Sequence, residues 1–472
     1  MKISLKAAGN YCIYGIFMVL MLAGCGGSST TPAVLTSIAI TPDPVYIGTG
    51  TTLQLTATGN YSDGTTANLT SSVKWTSANP TTIASVGAAG LLTAISINPG
   101  DTTTVTAALN GIISPKVTVT LTLASSIAST DLITARYDHT ATELLAASGV
   151  VVAGGFGTAS KALKSAELYD LTNKTWSSLP DMNFARRDHT ETLLANGKVL
   201  LLGGGGDPGV NDLDTAELYD PATKTWALPT TLSTLNETRS YHTATLLTNG
   251  KVLVVGGGLD NRNEIYDPAA AGGTKAAFAA TDISPTGRYS QTATRLKDGS
   301  VLVVGGFDGA IALKSAELFD PTALINGTPI PNLSTGRYLH SATLLNDGRV
   351  LVAGGTDEKG QIFASAELYN PVSNTWSPAA SMHTPRYGQT STLMPGSNQV
   401  LVMGGVDSTG LSISSAELYD PATNTWTPTA NLQFGRDVGT ATLLTSGPNI
   451  GSVLVTGGIG ATGILNSVEL HN

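Results

Sequence analysis

The chain has 472 residues, a formal charge of −9 and 12% charged residues, so it offers no basic stripe for a nucleic acid to neutralise. Its two cysteines, Cys12 and Cys25, both lie near the N-terminus, which leaves no internal disulfide or free thiol in the body of the chain. Fifty-three glycines with abundant Thr and Val, and few helix-forming runs, predict an all-β protein with room for more than one domain.

Lys2 and Lys6 precede a short apolar run, Ile13 to Ala23, which is too short to span a bilayer comfortably. This predicts a signal peptide over 1–24. The run ends in Leu22-Ala23-Gly24-Cys25, which resembles the lipobox of bacterial lipoproteins. The resemblance implies that Cys25 carries lipid and that the membrane is reached through Cys25 alone. It places the protein at the bacterial cell envelope, at the outer membrane or cell surface; an ordinary secretion signal is the alternative. Loss of Lys2 and Lys6 takes the charge from −9 to −11. Residues 25–34, with Gly26-Gly27-Ser28-Ser29, read as a flexible tether.

Residues 35–123 carry short alternating runs, SIAI, TLQLTAT, SVKWTS and VTVTLTL, separated by turn signals such as Ser62-Asp63-Gly64. Such spacing predicts a small β-sandwich, with Trp75 as a core residue between its sheets. The order LTSIAITP, ATGNYSDGTTANLTSSVKWTS, GLLTA resembles the bacterial immunoglobulin-like domain of group 2, which implies a spacer or adhesive module.

Residues 124–472 repeat with a period of about fifty. An apolar run ending in paired glycines occurs seven times, as in VLVAGG at 350–355. An arginine precedes each run: Arg136, Arg186, Arg239, Arg288, Arg337, Arg386 and Arg436. A glutamate follows each: Glu167, Glu217, Glu264, Glu317, Glu367, Glu417 and Glu469. In 340–378, HSATLL, RVLVAGG, SAELYN and the segment with Trp376 read as four antiparallel strands, with Asp347-Gly348 a tight turn. Seven such units predict a seven-bladed β-propeller. The glycine pair, Tyr and Trp resemble the Kelch motif, as in the galactose oxidase-like superfamily. Tyr419 and Trp426 are expected as wedges between blades. Phe278 stands where Trp is expected, and 322–333 shows no clear fourth strand. The last repeat stops after three strands, so 122–130 is expected to close the ring.

Because they recur in every repeat, the arginines and glutamates are expected to form structural ion pairs tying each blade to its neighbour, with the guanidinium also capping carbonyls. His139, His189, His242 and His340 share a position with Gln291, Gln389 and Gly439, which favours hydrogen bonding at the strand start over a ring of metal ligands. Galactose oxidase needs a cysteine cross-linked to a tyrosine at its copper; no cysteine follows Cys25, so that cofactor is not expected. No unique set of Glu, Asp, Tyr or Arg marks a catalytic site, and no metal or other cofactor is expected. The loops after the glycine pairs differ in every blade, so binding is expected there. Asp207, Asp212, Asp214, Asp260, Asp308, Asp357 and Asp407 in these loops either cap turns or accept hydrogen bonds from a ligand. The expected function is non-catalytic binding of a protein or glycan on this face, with a carbohydrate-active enzyme as the alternative.

Overall fold

The computed structural model describes residues 33–471, apart from 42, 44, 49–51, 97–100, 123–125, 146–148, 209–211, 228–233, 259–261, 269–276, 284–286, 321–326 and 396. The signal segment, Cys25 and Asp260 lie outside the described residues. No α-helix occurs among them.

The N-terminal unit packs Leu35–Thr41, Thr56–Tyr61 and Thr66–Asn68 as one sheet over a second built around Thr102–Leu109. In the second sheet Val117–Thr122 runs parallel to Val45–Gly48. Alternation along Lys74–Ser77 places Trp75 in the shared core with Ile38, Val105 and Val119, and its indole N–H donates to the Thr70 carbonyl at 2.9 Å.

The rest of the chain forms seven four-stranded antiparallel sheets. Their innermost strands, from Thr140–Glu143 to Thr440–Leu443, touch in a closed ring. Each second strand, such as Val350–Ala353, is buried along its whole length because each blade is packed on both faces. That sandwiching explains why these runs are uniformly apolar instead of alternating. In the repeated phrase YDPATNTW, Asp420 accepts the Ala422 N–H at 2.8 Å and Asn424 adopts a left-handed φ of 53°, which fixes the turn between the outer strands. Tyr419 then lies opposite Trp426, with ring centroids 5.1 Å apart. The Trp426 indole donates to the Ala380 carbonyl in the connection from the preceding blade, so the pair wedges two blades together.

Closure uses both ends of the domain. Ser126–Ala128 pairs with Val468–His471 as the outer strand of blade seven, within the expected 122–130 segment. The two irregular repeats also have four strands. Ala277–Ile283, with Phe278 in register opposite Tyr266, completes blade three. Thr328–Ile330 completes blade four, correcting the expectation that 322–333 has no equivalent. This strand lacks the Tyr–Trp pair and its turn signal, so pattern alone does not reveal it.

Candidate functional site

Each recurrent arginine stands at the entry to the innermost strand of its blade. Arg386 shows the arrangement: Nη1 donates to the carbonyls of Gly404 (2.9 Å) and Ser415 (2.8 Å), and Nη2 to Ser415 Oγ (3.0 Å) and Glu417 Oε1 (2.9 Å). The same pairing joins Arg136 to Glu167, Arg186 to Glu217, Arg239 to Glu264, Arg337 to Glu367 and Arg436 to Glu469, at 2.5–3.3 Å. Arg288 pairs likewise with Glu317. All fourteen side chains are buried. Both partners belong to one blade, so the ion pairs are not the inter-blade ties expected from sequence. Backbone makes that tie. At all seven junctions the arginine C=O accepts the N–H of the second glycine of the preceding blade, as Arg436 does from Gly405. The connection runs along the preceding blade's loop, so its backbone faces that loop while the side chain turns inward to its own blade. The glycines follow from the same packing. Gly404 has φ +66°, and a Cβ there would lie 2.5 Å from the Arg436 carbonyl.

The histidines are also consumed by the framework. Nε2 of His189, His242 and His340 is hydrogen-bonded to the Thr hydroxyl opening the previous blade's inner strand, each at 2.9 Å, and that of His139 to Thr456 at 2.9 Å. Gln291 and Gln389 donate instead to the Val255 and Ala353 carbonyls. Burial holds these histidines well below their usual proton affinity, hence neutral. His383, outside the series, bonds Glu417 through Nδ1.

The loop aspartates mostly cap local backbone. Asp308 accepts from Ala310 and Ile311, Asp357 from Lys359 and Gln361, and Asp407 from Thr409 and Leu411. Asp207 reaches the Ala162 N–H of blade one at 2.9 Å, and Asp212 accepts the Ser240 hydroxyl at 2.7 Å. The Asp214 carbonyl accepts the Leu235 N–H. Among the described residues no three His, Cys, Asp or Glu side chains converge as a metal site.

An unlike set does exist, contrary to the sequence expectation, in the column between the repeating arginine and histidine. Asp138, Asp188, Tyr241, Ser290, Leu339, Gly388 and Val438 all take positive φ, between 47° and 65°. Each N–H donates to the preceding member's carbonyl, closing a seven-membered ring of backbone hydrogen bonds about the axis (3.0–3.4 Å). On blades one to three this ring carries Asp138, Asp188 and Tyr241; farther round it carries Ser, Leu, Gly and Val.

Burial, then the Asp188 carboxylate, raises Asp138 well above the usual range, so Asp138 gives up its proton less readily than an ordinary carboxyl. Burial also raises Asp188, opposed by Arg187, whose Nη1 lies 2.9 Å from Oδ2, and by the Tyr241 hydroxyl. The Asp188 side chain is only 4% exposed, while Tyr241 is 42% exposed. Three residues after Asp188, within the inner strand Thr190–Leu193, Glu191 replaces the Ala or Ser found at this position in other blades. It faces Thr140 and Thr142, whose hydroxyls favour its charged form without offsetting its burial. Burial pushes Glu191 up to about 8. The blade one–two junction thus carries the Asp138 and Asp188 carboxyls, one guanidinium and an exposed phenol at the axis, with Glu191 farther along the inner strand. Comparing that column across the repeats would have exposed it in the sequence.

Comparison with known proteins agrees with this architecture. The KLHDC2/KLHL20/DRC7 Kelch-repeats domain matches residues 116–306 and 189–383, and the Kelch motif matches 396–433. The bacterial Ig-like domain (group 2) matches 34–121. A fungal alcohol oxidase of the AA5 family, solved in complex with copper, superposes with a TM-score of 0.59 at 17% identity, covering 74% of this chain and 76% of that one. The structure of YjhT has a TM-score of 0.48 at 15% identity, over 63% of this chain and 99% of that one. Ice-binding protein 1 of Shewanella frigidimarina (strain NCIMB 400) is 49% identical over 67 residues, which are 14% of this chain and 7% of that protein.

Proposed function

From the premise that the chain belongs to the Kelch-repeat propellers and carries a bacterial Ig-like group 2 domain, we propose a binding protein of the bacterial cell envelope. It is anchored through lipid on Cys25 and takes a glycan or protein ligand on the face that bears the unlike loops. One observation carries this: the recurrent Arg, Glu, His and Gln side chains are spent on the framework, whereas the axial column varies round the ring and gathers Asp138, Arg187, Asp188 and Tyr241 at its mouth. Carboxylates accept sugar hydroxyls, and the exposed Tyr241 and Tyr289 rings offer stacking surfaces, so a glycan fits this mouth well. The copper of the oxidase neighbour is not carried over, because no cysteine follows Cys25 to form the cross-link with a tyrosine.

A glycan array and an envelope pull-down, run with the natural chain and with Tyr241→Ala, Asp188→Asn and substitutions in the 206–214 and 356–362 loops, test the proposal. Binding that none of these changes alters would overturn it. Cys25→Ser should release the protein from membrane fractions; continued retention would refute lipid anchoring. Asp138, raised well above the usual carboxyl range beside Asp188, favours one second reading, a carbohydrate-active enzyme, which a sugar-turnover screen with Asp138→Asn as control would detect.

A further inference from the structure

The hairpin turns joining the first and second strands repeat one construction in blades two to five, at the end of those strands remote from the glycine-pair loops. Blades four and five carry Asp298-Gly299 and Asp347-Gly348 there. Oδ1 of each aspartate accepts the N–H two residues on, from Ser300 at 3.0 Å and from Arg349 at 2.9 Å. Blades two and three carry Asn196-Gly197 and Asn249-Gly250 instead, and their Oδ1 atoms accept the Lys198 and Lys251 N–H groups, both at 3.1 Å. Each of the four glycines has φ between +80° and +92° and donates its N–H to the leucine carbonyl three residues earlier. One turn thus takes an amide or a carboxylate in the same bonds. The basic residue two places on follows suit. Arg349 Nε bonds Asp347 Oδ2 at 2.8 Å, while Lys198 and Lys251 stand at the matching position and reach Asp220 and Asp267.

Independently of any ligand, we propose that Asn196 and Asn249 are modification sites, at which the folded chain converts asparagine to aspartate with water as the sole co-reactant. Both side chains are exposed. The residue after each is glycine, so no side chain shields the attacking nitrogen. A Cβ at Gly250 would meet nothing within 4 Å, and one at Gly197 would meet Leu145 at 3.7 Å. The hydrogen bond to Oδ1 draws electrons from Cγ and readies it for attack. Attack needs the glycine N–H to leave the leucine carbonyl, an opening that an exposed turn makes at low cost. The glycine nitrogen then gives its proton to water and bonds to Cγ; the Cγ–Nδ2 bond breaks and ammonia departs, leaving a cyclic imide. Water adds to one imide carbonyl and the C–N bond there breaks, so the sum is amide plus water giving acid plus ammonia. Opening at Cγ restores the backbone as aspartate, whereas opening at the main-chain carbon gives isoaspartate and lengthens the backbone by a methylene. The turn favours the first, because blades four and five already hold its bonds, and a longer backbone would part the glycine N–H from the leucine carbonyl.

Mass-spectrometric peptide mapping of the full chain, kept warm at pH 8 in heavy-oxygen water, tests this. Asn196 and Asn249 should each exchange the amide for an acid carrying the solvent's oxygen. They should do so at least ~10-fold faster than Asn173, Asn374 and Asn424, which are exposed but precede Lys or Thr. Isoelectric focusing should resolve species with one and two added negative charges, and Asn196→Gln combined with Asn249→Gln should remove both. Asn196→Asp and Asn249→Asp should melt with the natural chain. The aspartate share of the product should be larger in the folded chain than in chain unfolded in urea. Persistence of both asparagines in the folded chain would overturn the proposal, as would conversion no faster than at the three control sites. An aspartate share equal in folded and unfolded chain would overturn the role given to the turn. None of these outcomes bears on ligand binding, which is assigned to the opposite face.

Discussion

Glu191→Gln isolates the buried acid of the blade one–two junction. In the folded chain its carboxyl titrates at about 8 instead of the ordinary 4.5, because burial outweighs what Thr140 and Thr142 offer its charged form. The folded state therefore keeps a proton that the unfolded chain has already released between those limits. The sign follows: this group's favourable contribution is complete below about pH 4.5 and is lost as pH rises towards 8. Each pH unit in that window removes ~1.4 kcal/mol, on the order of 5 kcal/mol in all, as an upper bound because the channel edge admits some water. An amide is neutral throughout, so the variant escapes the loss. Asp138 and Asp188 titrate in both proteins and cancel from the difference. Melting temperatures measured by scanning calorimetry at pH 5, 6.5, 8 and 9.5 should show the variant gaining on the natural chain up to pH 8 and no further. At ~2 °C per kcal/mol in a domain of this size, the final gap is on the order of 5–10 °C. Parallel curves across the whole range would refute the assignment of Glu191 as an acid that burial keeps protonated.

Other features yield sharp contrasts. Glu417→Gln strips the charge partner from Arg386 and weakens the bonds to the His383 and Thr384 N–H groups, and should destabilise the propeller by ~3–5 kcal/mol in urea titration; a loss under 1 kcal/mol would mean the pair is dispensable. Gly404→Ala and Gly410→Ala both place alanine at positive φ, but the added Cβ meets the Arg436 carbonyl at 2.5 Å in the first and nothing within 4 Å in the second. Gly410→Ala should therefore cost ~1–2 kcal/mol and Gly404→Ala clearly more; equal effects would remove the close-approach explanation. A chain beginning at residue 131 lacks the strand that pairs with Val468–His471 and leaves that edge bare. Light scattering should then find association or aggregation; a monomer of unchanged melting temperature would show that closure is unimportant.

The fold was legible because a fifty-residue repeat states the blade seven times, and the strand missing at the end pointed to its replacement before Arg136. The irregular outer strand Thr328–Ile330 was not legible, since without Tyr, Trp and a turn signal three residues of strand leave no pattern. The partner blade of the ion pairs was misjudged for a different reason. Spacing alone says that Arg386 and Glu417 lie near each other, but not that the Arg side chain and its own carbonyl serve opposite neighbours. The axial site was hidden because Asp, Asp, Tyr, Ser, Leu, Gly and Val in one column read as noise two residues after the recurrent arginine.

That column varies because its backbone needs nothing from its side chains. The N–H to C=O ring about the axis fixes every member in the left-handed region, including Val438, for which a φ of 47° opposes its own preference by ~1–2 kcal/mol. A framework that tolerates valine there accepts any residue, so stability does not explain which ones are present. Asp138 and Asp188 are both driven away from their ordinary ionisation by burial, and so is Glu191 farther along the inner strand of blade two. Three acids that each weaken the fold, gathered at one junction of seven, are accounted for by a ligand that repays the burial when it arrives. Their neutral replacements should accordingly raise stability while abolishing binding, and a variant set in which both properties fell together would return these residues to the framework.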